Sequence, residues 1–450
     1  MHRAISICGI ALLLLIPAIA GANQLDLFGF NSRATSLGNA YTALADGPEA
    51  TFYNPAALIE SKSIRAFGGY GFALPLLSLD RQRRNGSDIS DTDAVRDAES
   101  PQTGQFVNAG VSGGIYDRVF FGLGMQVPVD GASRRKIFSP DRPFYLDYDT
   151  GIFGLTFLPA VAVQLAPNYG LGIAARVTMD PFGTMTTDVP TAVGDYQSST
   201  MAKNEFNAQA APIIGFYART HEFLRFALVY SGQSYSYYQK KVRQKLVPSE
   251  EEGFVGIEYE ARYNFIPRRL TLGIAGEPDE HVLLTAEISW VNWANYTPPY
   301  PEVQLDFSHM NEAGIPYERP DVIQRDDVDL DFNDTFVPRF GIEIIPYKYL
   351  SLRLGYALEP AALDVQQGTT NIMDSTTHAL SFGLGANFGG PRGDLVNIDF
   401  AIMDHIMTER WASKNSDDME EANPETNPAW PRYEVSGQAL YSSLTATFHF

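Results

Sequence analysis

Cysteine is nearly absent from this 450-residue chain, whose one cysteine is Cys8. Cys8 lies inside an N-terminal targeting signal that we expect to be removed on export. The exported chain then has no thiol. This excludes a disulfide framework, a thiolate nucleophile and thiolate metal ligands.

Positive charge and long apolar runs are also scarce. Lys and Arg number 33 against 53 for Asp and Glu, which gives a net charge of −20. Such acidity argues against nucleic-acid binding, which requires a basic face. After residue 22, no apolar run reaches the roughly 18 residues that a membrane-spanning helix needs. The chain is therefore either a soluble exported protein or one that crosses a membrane as β-strands.

The N-terminus has the three parts of a secretory signal peptide, which we assign to residues 1–22. Arg3 supplies the positive charge, residues 5–16 form the apolar region, and small residues at 18–22 supply the cleavage site. Residues 23–60 form a small segment rich in Ala and Gly, which fits either a plug inside a barrel or a surface loop. We expect residues 61–450 to form one β domain, because no linker or low-complexity stretch divides them.

Alternation of apolar and polar residues runs through the β domain. In residues 378–388, Leu380, Phe382 and Leu384 fall on one face, and Ser381 and Gly383 fall on the other. In a soluble sandwich the apolar face would cover a core, whereas in an outer-membrane barrel it faces lipid. Periodicity alone leaves both folds open.

Loop lengths favour the membrane barrel. We predict fourteen strands, at 63–76, 104–115, 118–128, 152–165, 169–180, 205–219, 223–238, 267–277, 281–293, 335–346, 349–358, 378–388, 394–404 and 439–450. Their connections alternate strictly between long and short, as the extracellular loops and periplasmic turns of outer-membrane barrels do. An even count requires residues 254–265 to be a loop extension, not a strand. The predicted fold is an all-β transmembrane antiparallel barrel of about fourteen strands, with a small N-terminal hatch in its lumen.

Two stretches carry a resemblance to a known family. The chain ends with apolar residues at every second position from Leu444 to Phe450, similar to the closing strand of Gram-negative outer-membrane proteins. The N-terminal segment contains Gly38-Asn39-Ala40, Ala45-Asp46-Gly47 and above all Tyr53-Asn54-Pro55-Ala56-Ala57-Leu58. It resembles the FadL/TodX family of outer-membrane transporters for long-chain fatty acids and hydrocarbons.

The resemblance implies a fold, a location and a function. The fold is a fourteen-stranded barrel in the Gram-negative outer membrane, blocked by a hatch that carries the motif Asn54, Pro55 and Ala56. The function is passive uptake of hydrophobic small molecules, which leave sideways through a gap in the wall. The family also includes secretion-associated barrels, so a non-transporting scaffold for secretion or surface attachment is the alternative. We expect a monomer that contacts outer-membrane lipid and lipopolysaccharide and needs no cofactor.

Further candidate residues follow from this comparison. The hatch residues Leu25, Leu27, Phe28 and Phe30 either contact ligand from below or only pack. The family's gap lies at a kinked third strand, which here carries Gly122, Gly124 and Pro128. These three residues mark either a lateral gate or an ordinary strand and its end.

Charged residues at lumen-facing positions form a candidate network. Its members are Arg176, Arg225, Glu287, Arg339, Glu343, Arg353 and Asp399, with Asp46 and Glu49 of the hatch as available partners. Buried charges must be paired or hydrated, so a mixture of signs indicates a network that holds the hatch. One arginine could instead bind a fatty-acid carboxylate in bidentate fashion.

Catalytic and metal motifs are weak. Ser112 lies in a Gly-x-Ser-x-Gly pattern, but within a predicted strand and not at a strand-to-helix bend. Asp327, Asp329 and Asp331 alternate as Ca²⁺ ligands do, yet Phe332 stands where an EF-hand loop needs Gly. We therefore expect no enzyme and no metal site, and interpret these aspartates as part of a solvated acidic loop.

Overall fold

We analysed a computed structural model of the chain. It describes residues 24–82, 103–129, 143–148, 154–188, 199–245, 254–300, 302–306, 330–364, 366, 370–390, 393–413 and 432–450. The signal assigned to residues 1–22 lies outside the described residues, as do Asp327 and Asp329.

The described part of the β domain consists of nineteen strands. In chain order they are β1 (Arg65–Gln82), β2 (Gly104–Tyr116), β3 (Val119–Pro128), β4 (Phe144–Tyr145), β5 (Leu155–Ala166), β6 (Tyr169–Asp188), β7 (Ser199–His221), β8 (Leu224–Ser231), β9 (Ser234–Lys245), β10 (Phe254–Ile266), β11 (Arg269–Asp279), β12 (Val282–Val291), β13 (Glu302–Asp306), β14 (Thr335–Tyr347), β15 (Leu350–Glu359), β16 (Ile372–Met373), β17 (Thr377–Gly390), β18 (Gly393–Ser413) and β19 (Arg432–His449).

Fourteen of these strands close into one antiparallel barrel. The order around the wall is β1-β19-β18-β17-β15-β14-β12-β11-β8-β7-β6-β5-β3-β2. Closure joins β1 to β19 in one register from Arg65↔His449 to Gln82↔Arg432. The predicted number of barrel strands is confirmed.

One predicted strand combines two separate elements, and five others, β1, β6, β7, β18 and β19, extend further into the predicted long loops than expected. Residues 223–238 do not form a single barrel strand: β8 ends at Ser231, and β11 pairs directly with it through Arg269↔Ser231. Gly232 donates its backbone N–H to the Pro212 carbonyl at 2.8 Å, and the chain leaves the wall there. It continues as β9, which pairs with β10 and, through β10, with β13 in a separate three-stranded sheet.

Residues 254–265, predicted as a loop extension, correspond to strand β10 in that separate sheet. The prediction was right that they are not part of the barrel and wrong that they are not a strand. Tyr- and Val-containing sequence favours a strand wherever a partner edge is present, and β9 supplies that edge.

The wall exposes apolar side chains outward and small or polar ones inward. In β17, Leu380 and Phe382 are 50% and 43% exposed, whereas Ser381 is 6% exposed. Comparable exposed Leu, Ile and Phe residues occur on every barrel strand from β11 to β19. Outer-membrane barrels present an apolar surface of this kind to lipid.

None of the described helices is long and apolar enough to cross a membrane.

The N-terminal segment lies inside the barrel as a chain of short helices. They are α1 (Gln24–Phe28), α2 (Ser32–Ser36), α3 (Ala50–Tyr53) and a 3₁₀ helix (Pro55–Glu60). Helix α2 packs against β15, β17, β18 and β19, and the 3₁₀ helix packs against β2, β3, β5, β6 and β7. The predicted hatch is therefore a real structural unit, held by both sides of the wall.

A second element enters the lumen from the long-loop side. Strands β4 and β16 pair in parallel, with Phe144↔Ile372 and Tyr145↔Met373. Tyr145, Tyr148 and Met373 join the same apolar cluster as Leu27 and Phe28 of the hatch. We call residues 143–148 and 370–376 the lumen cap.

Candidate ligand site between the hatch and the lumen cap

The Asn54 side chain makes three hydrogen bonds that hold the hatch motif in place. Its Oδ1 accepts a hydrogen bond from the Ala56 backbone N–H at 3.1 Å and so caps the 3₁₀ helix, with Pro55 at the first helical position. Its Nδ2 donates to the carbonyls of Thr42, at 3.1 Å, and of Phe216 in β7, at 3.3 Å. One amide thus joins two parts of the hatch to the wall.

Two wall glycines make room for this motif. A Cβ at Gly172 of β6 would overlap the backbone of Pro55 and Ala56, and a Cβ at Gly215 of β7 would overlap the Asn54 amide. The two residues are directly paired across β6 and β7. Only glycine permits so close an approach between the hatch backbone and the wall.

Tyr53 and Asn39 are joined by a hydrogen bond between two parts of the hatch. The Tyr53 hydroxyl donates to Asn39 Oδ1 at 2.9 Å and accepts from the Phe30 N–H at 3.0 Å. Asn39 adopts the left-handed conformation with φ 59°, which Asn tolerates better than most residues. Sequence reasoning used both residues only as part of the resemblance and missed this contact.

The four apolar candidates of the hatch divide into two groups. Leu25 and Phe30 pack within the hatch core, where Phe30 meets Phe67 of β1 edge to face at 5.2 Å between ring centroids. Leu27 and Phe28 face the lumen cap, and the Phe28 ring stacks on Tyr441 at 4.7 Å. Of the four, Leu27 lines the cavity described below.

Glu287 of β12 anchors the turn at residues 41–42 of the hatch. Its Oε2 accepts from the backbone N–H groups of Tyr41 and Thr42, both at 3.2 Å, and from the Thr42 hydroxyl at 2.9 Å. The other oxygen pairs with Arg339 Nη1 at 3.4 Å. A buried carboxylate with this many donors is satisfied, and it holds hatch and wall together.

A second group of charges holds helix α2. Glu343 binds Arg33 of the hatch at 2.8 Å and Arg353 of the wall at 3.1 Å, and Arg353 also binds Asp399 at 2.6 Å. Arg353, Glu343 and Asp399 are all buried. Five of the seven predicted network residues thus lie in two connected groups, although sequence reasoning did not identify Arg33 as their partner.

The other two predicted network residues, Arg176 and Arg225, form ion pairs outside these two groups. Arg176 binds Asp26 of α1 at 2.8 Å, and Asp26 also binds Arg269 at 3.3 Å. Arg225 pairs with Glu277 of the neighbouring strand and not with the hatch. The alternation of β11 places Arg269 on the same face as Thr271 and Ala275, which point into the lumen. This alternation in the sequence could therefore have identified Arg269 as a lumen residue.

The two hatch acids differ in their partners. Asp46 pairs with Arg65 of β1 at 3.1 Å and with Arg33 at 3.9 Å. Glu49 forms no ion pair with the described residues; its Oε1 accepts from the backbone N–H of Gly47 at 2.9 Å and of Asp46 at 3.3 Å. Burial, with the charge of Asp46 nearby, raises the pKa of Glu49 to about 7.

Strand β3 is continuously paired on both sides at its two glycines. Gly122 pairs with Ser112 and Ala160, and Gly124 with Gly110 and Leu158. Both glycines face the hatch, where a Cβ on either would meet Thr51. Pro128 still pairs with β2, but pairing with β5 ends at Gln126. The pairing of β3 is thus uninterrupted at both glycines, which give the hatch room, and the lateral gate at Gly122, Gly124 and Pro128 stays a prediction.

A cavity of about 90 Å³ lies between the hatch and the lumen cap. Its apolar lining includes Leu27 of the hatch, Phe144 and Leu146 of the cap, and Trp293 and Tyr296 after β12. Tyr296 lies 4.4 Å from the Phe332 ring, centroid to centroid, which fixes this aromatic wall. The rest of the lining is polar and includes charged side chains such as Arg269, Arg339 and Asp374, so the cavity has one apolar wall and one charged wall.

Ser112 and Asp331 show no catalytic or metal-binding arrangement. Ser112 is fully buried in β2, and its hydroxyl lies 2.6 Å from that of Ser61. Asp331 is exposed. Among the described residues no group of His, Cys, Asp and Glu has the geometry of a metal site.

Structural comparison identifies the architecture. A Pseudomonas aeruginosa FadL homologue aligns with a TM-score of 0.61 at 15% identity, over 93% of this chain and 98% of the other. The toluene transporter TodX of P. putida aligns at 0.56 and 12% identity, over 94% and 99% of the two chains. The toluene transporter TbuX of Ralstonia pickettii aligns at 0.51 and 12% identity, over 95% and 100%.

The chain has the FadL/TodX barrel fold. At these identities the alignments establish the fold alone. No protein-family model matches the sequence, and no curated protein does. A FadL-type barrel is an outer-membrane architecture, which accounts for the apolar exterior and the lumen-filling hatch.

Proposed function

We propose that the chain is an outer-membrane channel for the passive uptake of hydrophobic compounds, either long-chain fatty acids or hydrocarbons. The observation that carries the proposal is the aromatic cavity between the hatch and the lumen cap. An open diffusion porin needs no such cavity and no hatch that fills the lumen.

Release sideways into the bilayer is part of the proposal. The hatch lies across the direct route to the short-turn end of the barrel, where it packs against both sides of the wall. An apolar ligand also has a lower free energy in the bilayer than in water, by about 0.8 kcal/mol per CH₂ group. We further propose that the barrel acts as a monomer in contact with lipid and lipopolysaccharide.

A scaffold for secretion or surface attachment is the second candidate. The observation that favours it is the sheet of β9, β10 and β13, which is separate from the closed barrel. In this role the sheet would be the surface that binds another protein. This role requires no ligand in the cavity.

Uptake into vesicles tests both candidates. Purified barrel is inserted into liposomes, and the entry of a labelled long-chain fatty acid and of labelled toluene is measured. Ala362→Trp fills the cavity, and Ala361→Trp makes the same change at the adjacent residue, which does not line it. Transport predicts uptake of at least one compound by the intact and A361W proteins and little uptake by A362W. If the inserted intact barrel takes up neither compound, the scaffold function is favoured.

A further inference from the structure

A groove crosses the outer face of the barrel wall at strands β8, β11, β12, β14 and β15. Its volume is about 580 Å³, within the range of about 300–1,000 Å³ that is typical of sites for small organic ligands. Among the described residues that line this outer groove, none carries a charge. The large side chains that border it are Ile274, Leu284, Phe340, Ile342, Leu354 and Tyr356.

The outer groove forms because small residues occupy outward positions between large ones. Ala286 of β12 pairs with Ile274 on one side and with Phe340 on the other. Gly276 of β11 pairs with Leu284 in the next row. Leu284 and Phe340 are 47% and 52% exposed, so they project beside the two small residues. The wall therefore has a depression with apolar sides at this place.

The floor of the outer groove is the backbone of the wall itself. Gly341 and Gly355 line the groove and pair with each other across β14 and β15. On the lumen side, a Cβ at Gly355 would overlap the backbone nitrogen of Gly38, so the hatch covers the inner face here. The Tyr356 hydroxyl is engaged by His378 Nδ1 at 2.8 Å. An occupant can therefore reach the groove only from the membrane and must be apolar.

The outer groove lies in the half of the membrane nearest the short turns. Leu284 is the third residue of β12 and Leu354 is the fifth residue of β15, which places both within roughly 15 Å of the short turns that precede these strands. The hydrocarbon core of a bilayer is about 30 Å thick. Tyr347 and Tyr349, which are exposed and stacked at 5.4 Å at the turn between β14 and β15, mark the headgroup level. Short turns are periplasmic in outer-membrane barrels.

We propose that the outer groove is a binding site for an acyl chain of a phospholipid in the periplasmic leaflet. The groove is continuous with the apolar exterior that the barrel presents to lipid, which identifies the occupant. A chain in the groove makes more dispersion contacts than a chain on a flat wall, so this lipid is held more tightly than its neighbours.

The site is independent of the proposed transport function. In the order around the wall, β14 lies seven positions from β3 and thus on the opposite side of the barrel. A lipid bound in the outer groove therefore leaves the predicted lateral gate at β3 open to a ligand.

Retention of lipid by two matched variants tests the proposal. Barrel purified from membranes is washed in detergent, and bound phospholipid is counted by native mass spectrometry. Ala286→Phe fills the groove. Ala386→Phe makes the same change at another half-buried residue on the outward face of β17, which does not line the groove. We expect the intact and A386F proteins to retain phospholipid, and A286F to bind it about tenfold more weakly, the effect of losing the contacts of about two CH₂ groups. Equal retention by all three proteins, equal loss in both variants or no retention by the intact barrel would overturn the proposal.

A second measurement uses the intact protein only. The barrel is inserted into liposomes that contain phosphatidylethanolamine with a photoactivatable diazirine in the middle of one acyl chain, and cross-linked peptides are mapped after irradiation. We expect an excess of cross-links on β12 and β14 over the outward residues of β17 to β19. Uniform labelling of the wall would show ordinary surrounding lipid only and would contradict the proposal. Loss of the excess in the presence of toluene, at a concentration that leaves the other cross-links unchanged, would assign the groove to a transported compound instead.

Discussion

The hatch contacts two regions of the wall by different physical means. Against β6 and β7, the motif at Asn54 and Pro55 packs on Gly172 and Gly215 through close, neutral backbone contacts. Two ion pairs accompany these contacts, Arg176 with Asp26 and Arg219 with Glu60. Against β12 to β18, the hatch is held by ions, through Arg33 with Glu343 and through Glu287 with the backbone at residues 41–42. A close fit without charge does not respond to pH or salt, whereas ion pairs do. Salt or acid should therefore loosen the hatch first at β12 to β18, where ion pairs and a buried carboxylate supply the main contacts.

The largest loss of stability is expected from a mutation in the ion pairs between the hatch and strands β12 to β18. Glu343→Gln removes the acid that Arg33 and Arg353 share, while Arg353 keeps Asp399. We therefore expect a cost towards the lower end of the about 3–5 kcal/mol of an uncompensated buried charge. We expect the urea midpoint of the vesicle-inserted barrel to fall and the hatch to become sensitive to protease. Glu277→Gln is the control, because its partner Arg225 is only partly buried and such pairs contribute at most about 1 kcal/mol. Equal stability of the two variants would remove the distinction between the regions.

The second largest loss of stability is expected where the hatch backbone packs closely on β6 and β7. Gly172→Ala places a methyl group against the backbone of Pro55 and Ala56, and overpacking typically costs about 1–3 kcal/mol. Gly68→Ala adds the same methyl group where no atom lies within 4 Å, and it should cost little. Unfolding in urea, measured at two salt concentrations, checks the result. A strong salt dependence of the Gly172→Ala effect would contradict the neutral character of this contact.

Removal of the Asn54 amide should cost about 1–2 kcal/mol, the usual range for a lost helix cap. Asn54→Asp keeps the acceptor for the Ala56 N–H but replaces the donor to the Thr42 and Phe216 carbonyls with a negative charge. We therefore expect Asn54→Asp to destabilise at least as much as Asn54→Ala. Thermal denaturation of the three proteins measures the difference. An Asn54→Asp variant as stable as the native chain would show that only the cap is important.

The most gradual effect, spread over several pH units, is a pH dependence of stability from Glu49. Its pKa in the folded chain, about 7, lies above the usual value of a free glutamate. The folded state therefore binds a proton more tightly, and stability falls as the pH rises from about 4.5 to 7. One such group gives a slope of at most about 1.4 kcal/mol per pH unit. Glu49→Gln should flatten the unfolding curve in this range, and an unchanged slope would assign the titration to another group.

The fold was predictable because two simple patterns describe a barrel. Period-two alternation placed Leu380 and Phe382 outward, and the alternation of short and long connections fixed the parity of the strands. The exit of the chain from the wall at Gly232 was not predicted, because an alternating stretch continues directly after β8. The one signal was a change of phase, from the even-numbered Tyr230 to the odd-numbered Tyr235 and Tyr237. Only the pairing of β11 with β8 shows that β9 has left the barrel.

The sequence predicted the charged residues of the barrel wall better than it predicted the hatch residues that bind them. Glu287, Glu343 and Arg353 were found because inward parity marks a buried charge, and such a charge must be balanced. Arg33 and Asp26 lie in short irregular helices, where no period indicates which side chain points where. The lumen cap was missed for the same reason: it consists of two loop segments, around Phe144 and Ile372, that meet only in three dimensions.

The pairing of β1 with β19 has a consequence for biogenesis. The wall closes only when strands from opposite ends of the domain meet, from Arg65↔His449 to Gln82↔Arg432. Ser32 of the hatch donates its backbone N–H to the Thr445 hydroxyl of β19 at 3.1 Å, so one docking site of the hatch is completed by the same strand. Such long-range closure is intrinsically slow. The docking site of the hatch at Thr445 is therefore complete only when the final strand is in place, which makes closure of the wall and final docking of the hatch one late step of assembly.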